Sequence, residues 1–216
     1  PMNIEEIVAS QRQFFNTNQT RDIGFRKTML RRLLRVIEDN EELIFAAVNA
    51  DLGKSRAETY MAEVAMVTEE IKMQLRHISS WSRPKNVPCT MASFPSRSTV
   101  YSDPYGVVLI LSPWNYPVNL ALTPLVGAIA AGNCVVLKCS RNSAHTSALL
   151  QKLLAQAFMS SYVCCLDADS DYDEVLKQKY DYIFFTGSPR VGKTVMKAAS
   201  ENLIPVSLEL GGKSPC

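Results

Sequence analysis

The sequence predicts an α/β protein, with an N-terminal helical layer followed by a five-stranded parallel sheet that carries helices on both faces. Two observations point to it. From Tyr105 onward, short apolar runs rich in Val, Ile and Leu alternate with longer stretches of helical spacing. Strands buried on both faces read as such continuous runs rather than as alternation. Before Lys85, apolar residues recur instead every three or four positions.

Taken in order, Ile4–Phe15 reads as a first helix. Asp22–Glu38 reads as a second, with Met29, Leu30, Leu33, Leu34 and Ile37 on one side. Asn40 is placed to cap a third helix that closes at Gly53. Ser55-Arg-Ala-Glu58 has capping-box spacing. Behind it, Tyr60, Val64, Val67, Ile71, Leu75 and Ile78 form the apolar stripe of one long helix ending near Trp81 to Pro84. Residues 1–84 are expected to be a structural layer packed on the sheet domain. In residues 85–104, Pro88, Pro95 and several Ser and Thr break any helix, and Ser98–Ser102 reads as extended.

Residues 105–210 form the sheet domain. Its strands are Val107–Leu111, Cys134–Lys138, Tyr162–Leu166, Tyr182–Phe185 and Val206–Leu210. Val118–Ala131, Ser143–Phe158 and Tyr172–Gln178 are the helices between them. The last helix is expected over Val191–Ser200, with Ser188 as its N-cap and Pro189 at its first position. Ligands of such a sheet sit beyond the carboxyl ends of the strands. Here those ends are Ser112–Pro117, Lys138–Arg141, Thr186–Gly192 and Glu209–Gly212.

Composition excludes several function classes. The chain is 47% hydrophobic with a net charge of +2, so neither a strongly acidic nor a strongly basic partner is implied. The one basic cluster, Arg21 to Arg35, reads as the solvated face of a helix, and no nucleic-acid partner is expected. No apolar run reaches membrane-spanning length and the N-terminus lacks a signal-peptide plan, so a cytoplasmic protein is expected. The cysteines at 89, 134, 139, 164, 165 and 216 form no C-x-x-C pair and there are two histidines, so no metal site is expected. Cys134, Cys164 and Cys165 read as reduced core residues.

The start of the last helix is a phosphate site, because free N–H groups and the helix dipole favour an anion there. Two chemistries compete for it. Gly187-Ser-Pro-Arg-Val-Gly192-Lys193-Thr194 matches a P-loop, which would make the chain a nucleoside triphosphatase. Against that, Pro189 removes an N–H donor, and a P-loop needs a later apolar strand ending in an acidic residue, whereas only 22 residues follow Thr194 and their only acids are Glu201 and Glu209. The other chemistry is a dinucleotide whose pyrophosphate lies on the same helix, in a Rossmann-like fold without the usual G-x-G-x-x-G. A third class is a nucleotide-binding module without catalysis.

Four ordered motifs decide between them. GVVLILSPWNYP (106–117), GAIAAGNCVVLK (127–138), FFTGSPRVGKTV (184–195) and PVSLELGGKSP (205–215) resemble the aldehyde dehydrogenase superfamily, and most closely its class 3, fatty-aldehyde-type branch. The resemblance covers nearly the whole chain. It implies NAD(P)-dependent oxidation of aldehydes to carboxylic acids, on medium- or long-chain aliphatic or aromatic substrates. It also implies a homodimer, whose assembly the hairpin at 85–104 assists. Asn115 is implied as half of the oxyanion hole, and Glu209 as the base that activates water against a thioester. That role suits a carboxylate in a partly apolar pocket, where its pKa is raised. Cofactor contacts are implied for Ser112, Pro113, Trp114, Lys138, Ser140, Arg141, Gly187, Ser188, Val191, Gly192, Leu210 and Gly211. Trp114 and Tyr116 serve as wall and packing, and Gly211 and Gly212 let the backbone approach a ligand.

The chain departs from the family pattern in one place and lacks one residue. Lys138-Cys139-Ser140-Arg141 stands where the family commonly has K-P-S-E. A glutamate there accepts from a free ribose 2′-hydroxyl, whereas an arginine favours a 2′-phosphate, so NADP is expected to be tolerated or preferred. The family's nucleophilic cysteine is expected a few tens of residues beyond Glu209, in a second domain of which residues 211–216 are the start. Cys216 sits at the wrong motif position to replace it. By itself, this cofactor-binding half is expected to be inactive.

Overall fold

A computed structural model describes residues 3–213. The opening layer holds α1 (Ile4–Asn16), α2 (Ile23–Asp39), α3 (Glu41–Leu52), the single turn α4 (Arg56–Thr59) and α5 (Ala65–Trp81). Asn3 begins α1 with a complete capping box, its side chain accepting from Glu6 N–H while Glu6 accepts from Asn3 N–H. Asp22 caps α2 by accepting from Phe25 N–H. Gly53 closes α3 at φ 67, a left-handed conformation in which a Cβ is strained.

Three expectations for this layer are corrected. Asn40 precedes α3 but does not cap it; its amide donates to the Val36 carbonyl in the last turns of α2. The long stripe helix is interrupted by a π-turn, Tyr60–Val64, between α4 and α5. The wider turn rotates Tyr60 outward to 48% exposure and brings Thr59 and Glu63 into the interior. Arg26 is buried rather than solvated. Its guanidinium donates to Thr20 O at 2.7 Å and to Ala130 O at 3.2 Å, the latter a carbonyl in the last turn of a later helix, where a cation is favoured. Burial lowers its pKa below the ordinary arginine value. The layer also caps helices of the sheet domain. Asp51 accepts from the N–H groups of His145 and Thr146 and from the Thr146 hydroxyl at 2.7–3.0 Å.

Residues 85–104 include the antiparallel pair β1 (Lys85–Val87) and β2 (Ser98–Val100). Their side chains are mostly exposed, as are Met91, Phe94 and Tyr101. The sheet then follows as β3 (Val107–Leu111), α6 (Asn119–Ala131), β4 (Cys134–Lys138), α7 (Ala144–Ala157), β5 (Val163–Cys165), α8 (Tyr172–Leu176), β6 (Tyr182–Gly187), α9 (Pro189–Ser200) and β7 (Val206–Leu210). All pairings are parallel, in the order β5-β4-β3-β6-β7. The winding starts at the centre, runs outward through β4 and β5, then reverses to β6 and β7. That reversal opens a crevice between the carboxyl ends of β3 and β6.

The core sits on both faces of β3 and β4, every residue of which is buried. On β6 the alternation divides the faces: Phe184 lies in a groove with Pro124 and Ala128 of α6, and Phe185 lies beneath Gly192 of α9. α1 packs on β3 and β4, where the buried Gln11 amide donates to Val135 O and Ser160 O. Asp181 ties the start of the sheet, accepting from Val107 N–H at 2.7 Å and pairing with Arg12 at 2.9 Å. No helix among the described residues is long and apolar enough to cross a membrane.

Candidate active site

Two clefts meet at the switch point. The first, about 700 Å³, lies over the ends of β3, β4 and β6. It is lined by Ser112, Pro113, Trp114, Lys138, Ser140, Arg141, Gly187, Ser188 and Val191, nine of the residues expected to hold a cofactor. The second, about 1030 Å³, lies over the ends of β3, β6 and β7. It is lined by Asn115, Glu209, Leu210 and Gly211, with Thr123 and Pro124 of α6 as its apolar side. Pro113, Trp114 and Thr186–Ser188 line both, so this strip separates the first cleft, the candidate cofactor lobe, from the second, the candidate reaction lobe.

Gly192 lines neither cleft among these lining residues. It is buried where α9 crosses β7, and a Cβ there would come 2.8 Å from Leu210 Cδ2. Gly187 is fixed by a similar crowding, since a Cβ would lie 2.5 Å from the Phe185 ring. Gly211 and Gly212 are open, with nothing within 4 Å of an added Cβ.

The start of α9 is narrower as an anion site than the motif suggests. Pro189 has no N–H, the Val191 N–H goes to the Ser188 hydroxyl at 3.3 Å, and Gly192 N–H begins the helical ladder at Ser188 O. The Arg190 N–H is the first-turn donor left for a ligand. Lys193 and Thr194 are exposed residues of the helix and line neither cleft. A triphosphate cradle with a lysine and a magnesium-holding hydroxyl is therefore not built here.

Lys138 ends β4 with its ammonium donating to Ala168 O at 2.8 Å and facing the Tyr172 ring at 5.8 Å. Burial lowers its pKa below the ordinary lysine value. The buried Tyr172 hydroxyl has no hydrogen-bond partner among the described residues. Arg141 is exposed at the cleft edge and takes part in none of the ion pairs among the described residues. Asp169, Ser170 and Asp171 line the same cleft, and nothing in the sequence marks them, since they belong to a loop with no motif.

In the reaction lobe, Asn115 is exposed, and its side-chain amide makes no hydrogen bond among the described residues. Glu209 lies opposite Thr186 in the β6–β7 register. It too is exposed, because β7 is the sheet edge and no described element covers its end. The thiols offer no nucleophile to this lobe. Burial pushes Cys134 up to about 12 and also raises Cys164. Cys165 is pushed well up by the neighbouring Cys139 thiol and by burial. Cys139 is itself enclosed at 3% exposure, and Cys216 lies outside the described residues. No cluster of three potential metal ligands occurs among the described residues.

A model of the aldehyde dehydrogenase family matches residues 1–216. Aldehyde dehydrogenase family 3 member B2 of Mus musculus is 45% identical over 213 residues, which are 98% of this chain and 44% of that protein. The structure described as the substrate-bound state of Staphylococcus aureus AldH is 41% identical and superposes with a TM-score of 0.95, covering 99% of this chain and 47% of that one. A mutant of P. syringae AldA, an indole-3-acetaldehyde dehydrogenase in complex with NAD+ and IAA, is 26% identical with a TM-score of 0.84, over 97% of this chain and 43% of that one. The chain thus spans about half the length of these relatives. The strand order, the paired clefts and a match running the length of the chain agree: the chain belongs to the aldehyde dehydrogenase family.

Proposed function

We propose that this chain supplies the cofactor lobe and two acting side chains of an NAD(P)-dependent oxidation of aldehydes to carboxylic acids. The observation that carries the reading is the shared strip at Pro113, Trp114 and Thr186–Ser188, which sets Lys138, Ser140, Arg141 and Val191 on one side and Asn115 with Glu209 on the other, with Leu210 and Gly211, expected at the cofactor, on the side of Glu209. The first cleft fits a dinucleotide. Its lining brings together the Lys138 ammonium, the unpartnered Tyr172 hydroxyl and the helix start at Arg190. The bound dinucleotide supplies the hydride acceptor.

Lys138 and Ser140 stand where ribose hydroxyls would be held, and the Arg190 N–H with the α9 dipole stands where the pyrophosphate would lie. Pro113 and Trp114 wall the nicotinamide end. Asn115 donates its amide to the oxygen that becomes negative when a nucleophile adds to the aldehyde. Glu209 takes a proton from the water that hydrolyses the resulting thioester. The attacking thiolate is taken to come from beyond this chain, since no cysteine among the described residues lines the reaction lobe. The substrate class is a medium- or long-chain aliphatic or aromatic aldehyde, and two copies pair with help from the β1–β2 hairpin.

Arg141 sets the ribose preference. Arg141→Glu in the natural full-length protein is expected to weaken NADP+ by roughly tenfold relative to NAD+, because a carboxylate repels the 2′-phosphate that a guanidinium attracts. Dissociation constants for both cofactors, in both proteins, check this. An unchanged ratio, or clearly tighter NAD+ in the unaltered protein, removes Arg141 from the site.

A further inference from the structure

The helix that follows Asn115 has a capping problem. α6 begins after SPWNYP, its N-cap residue Val118 has no side-chain acceptor, and Val118 is fully buried where water cannot satisfy the first N–H groups. The acceptor comes from the π-turn between α4 and α5. Glu63, with a wholly buried side chain, accepts from Val118 N–H at 2.9 Å and Asn119 N–H at 3.0 Å through one oxygen. Its other oxygen accepts from the Lys54 ammonium at 2.8 Å. A carboxylate at a helix start is favoured by the dipole as well as by these bonds.

A cap alone would need no lysine. The Lys54 ammonium also donates to the backbone carbonyl of Asn115 at 2.8 Å and stands 3.9 Å over the Tyr116 ring. Glu63 thus grips the loop on its helical side, while Lys54 grips the peptide of Asn115 itself. Between these two points lie Tyr116 and Pro117, so little freedom remains in the backbone that carries the Asn115 amide into the reaction lobe. The Asn119 amide adds a third tie, donating to Ala62 O in the same π-turn. Single π-turns inside α-helices recur at functional sites. Here the turn aims Glu63 inward and leaves Tyr60 outside.

We infer that Lys54 and Glu63 are positioning residues for the oxyanion donor: they touch neither lobe's ligand and act by fixing where Asn115 points. This rests on the oxyanion reading of Asn115. Displacing a reacting group by about 1 Å can cost on the order of 100-fold in rate, so loss of the clamp is expected to lower kcat without weakening cofactor binding.

The test is a double-mutant cycle in the natural full-length protein, measuring kcat and the NAD(P)+ dissociation constant for Lys54→Met, Asn115→Ala and the two combined. Lys54→Met is expected to lower kcat roughly tenfold with Asn115 present, and by less than about twofold with Asn115→Ala, at unchanged cofactor affinity. An equal loss in both backgrounds, or no loss in either, overturns the positioning role while leaving the oxyanion reading intact. Wild-type kcat for Asn115→Ala alone overturns the oxyanion reading, and the positioning role with it. Should Lys54→Met fail to fold because Glu63 is left uncompensated, Lys54→Met with Glu63→Gln removes both charges and is judged by the same comparison.

Discussion

Asn115→Ala is expected to lower kcat by roughly 100- to 1000-fold, the range typical for removal of one oxyanion donor. The cofactor dissociation constant stays within error, because Asn115 lines the reaction lobe and not the cofactor lobe. KM for the aldehyde changes little, since the bond strengthens only as negative charge develops. Folding is spared as well: the side chain is exposed and makes no hydrogen bond among the described residues, and surface substitutions of that kind cost about 0.5 kcal/mol or less. Rapid-quench and steady-state kinetics on the natural protein check this. A proportionate rise in KM with unchanged kcat would mean that Asn115 only holds the ground-state aldehyde.

Glu209→Gln separates the two halves of the reaction. The substitution keeps size and shape but removes the proton acceptor. One equivalent of NAD(P)H is expected to form at nearly the normal rate. Turnover then stalls, with steady-state kcat down roughly 100- to 10,000-fold, the span usual for a lost general base. The stalled protein carries an acyl thioester, visible by intact mass spectrometry as the mass of the acyl group. The register places Glu209 beside Thr186, on the strip that both lobes share, which suits a group serving the second step once the hydride has left. Slow formation of the first equivalent would place Glu209 in the addition step instead.

The parts of this site that were legible in the sequence are those built from local rules. Val107–Leu111 and Cys134–Lys138 coincide with strands because continuous apolar runs of this length have few other solutions in a buried sheet, and Val206–Leu210 alternates apolar with polar residues as a half-covered edge strand does. Ser188 and Pro189 begin α9 as their chemistry predicts. What stayed hidden are the contacts that join distant stretches. Lys54 meets Asn115 across 61 residues, and Glu63 meets Val118 across 55, with no period or motif to announce either pair. The same holds for Asp51 on α7 and Arg26 on the end of α6. Each is a charged residue that reads as surface, yet its partner is a backbone group at the end of another helix or, for Lys54, in the loop that leads into one. The π-turn was hidden for a related reason: its extra residue breaks the phase of a stripe that still scores as helical when Tyr60 is counted in.

The central claim is that the two lobes meeting at Pro113, Trp114 and Thr186–Ser188 serve one reaction. Its most direct measurement is the stoichiometry of that reaction in the natural full-length protein: NAD(P)H absorbance and carboxylate formed from a medium-chain aldehyde, followed together. The account predicts equal amounts of reduced cofactor and carboxylic acid, with no requirement for added metal or nucleoside triphosphate. Tight binding of magnesium–ATP with no NAD(P)-dependent consumption of aldehyde would contradict it.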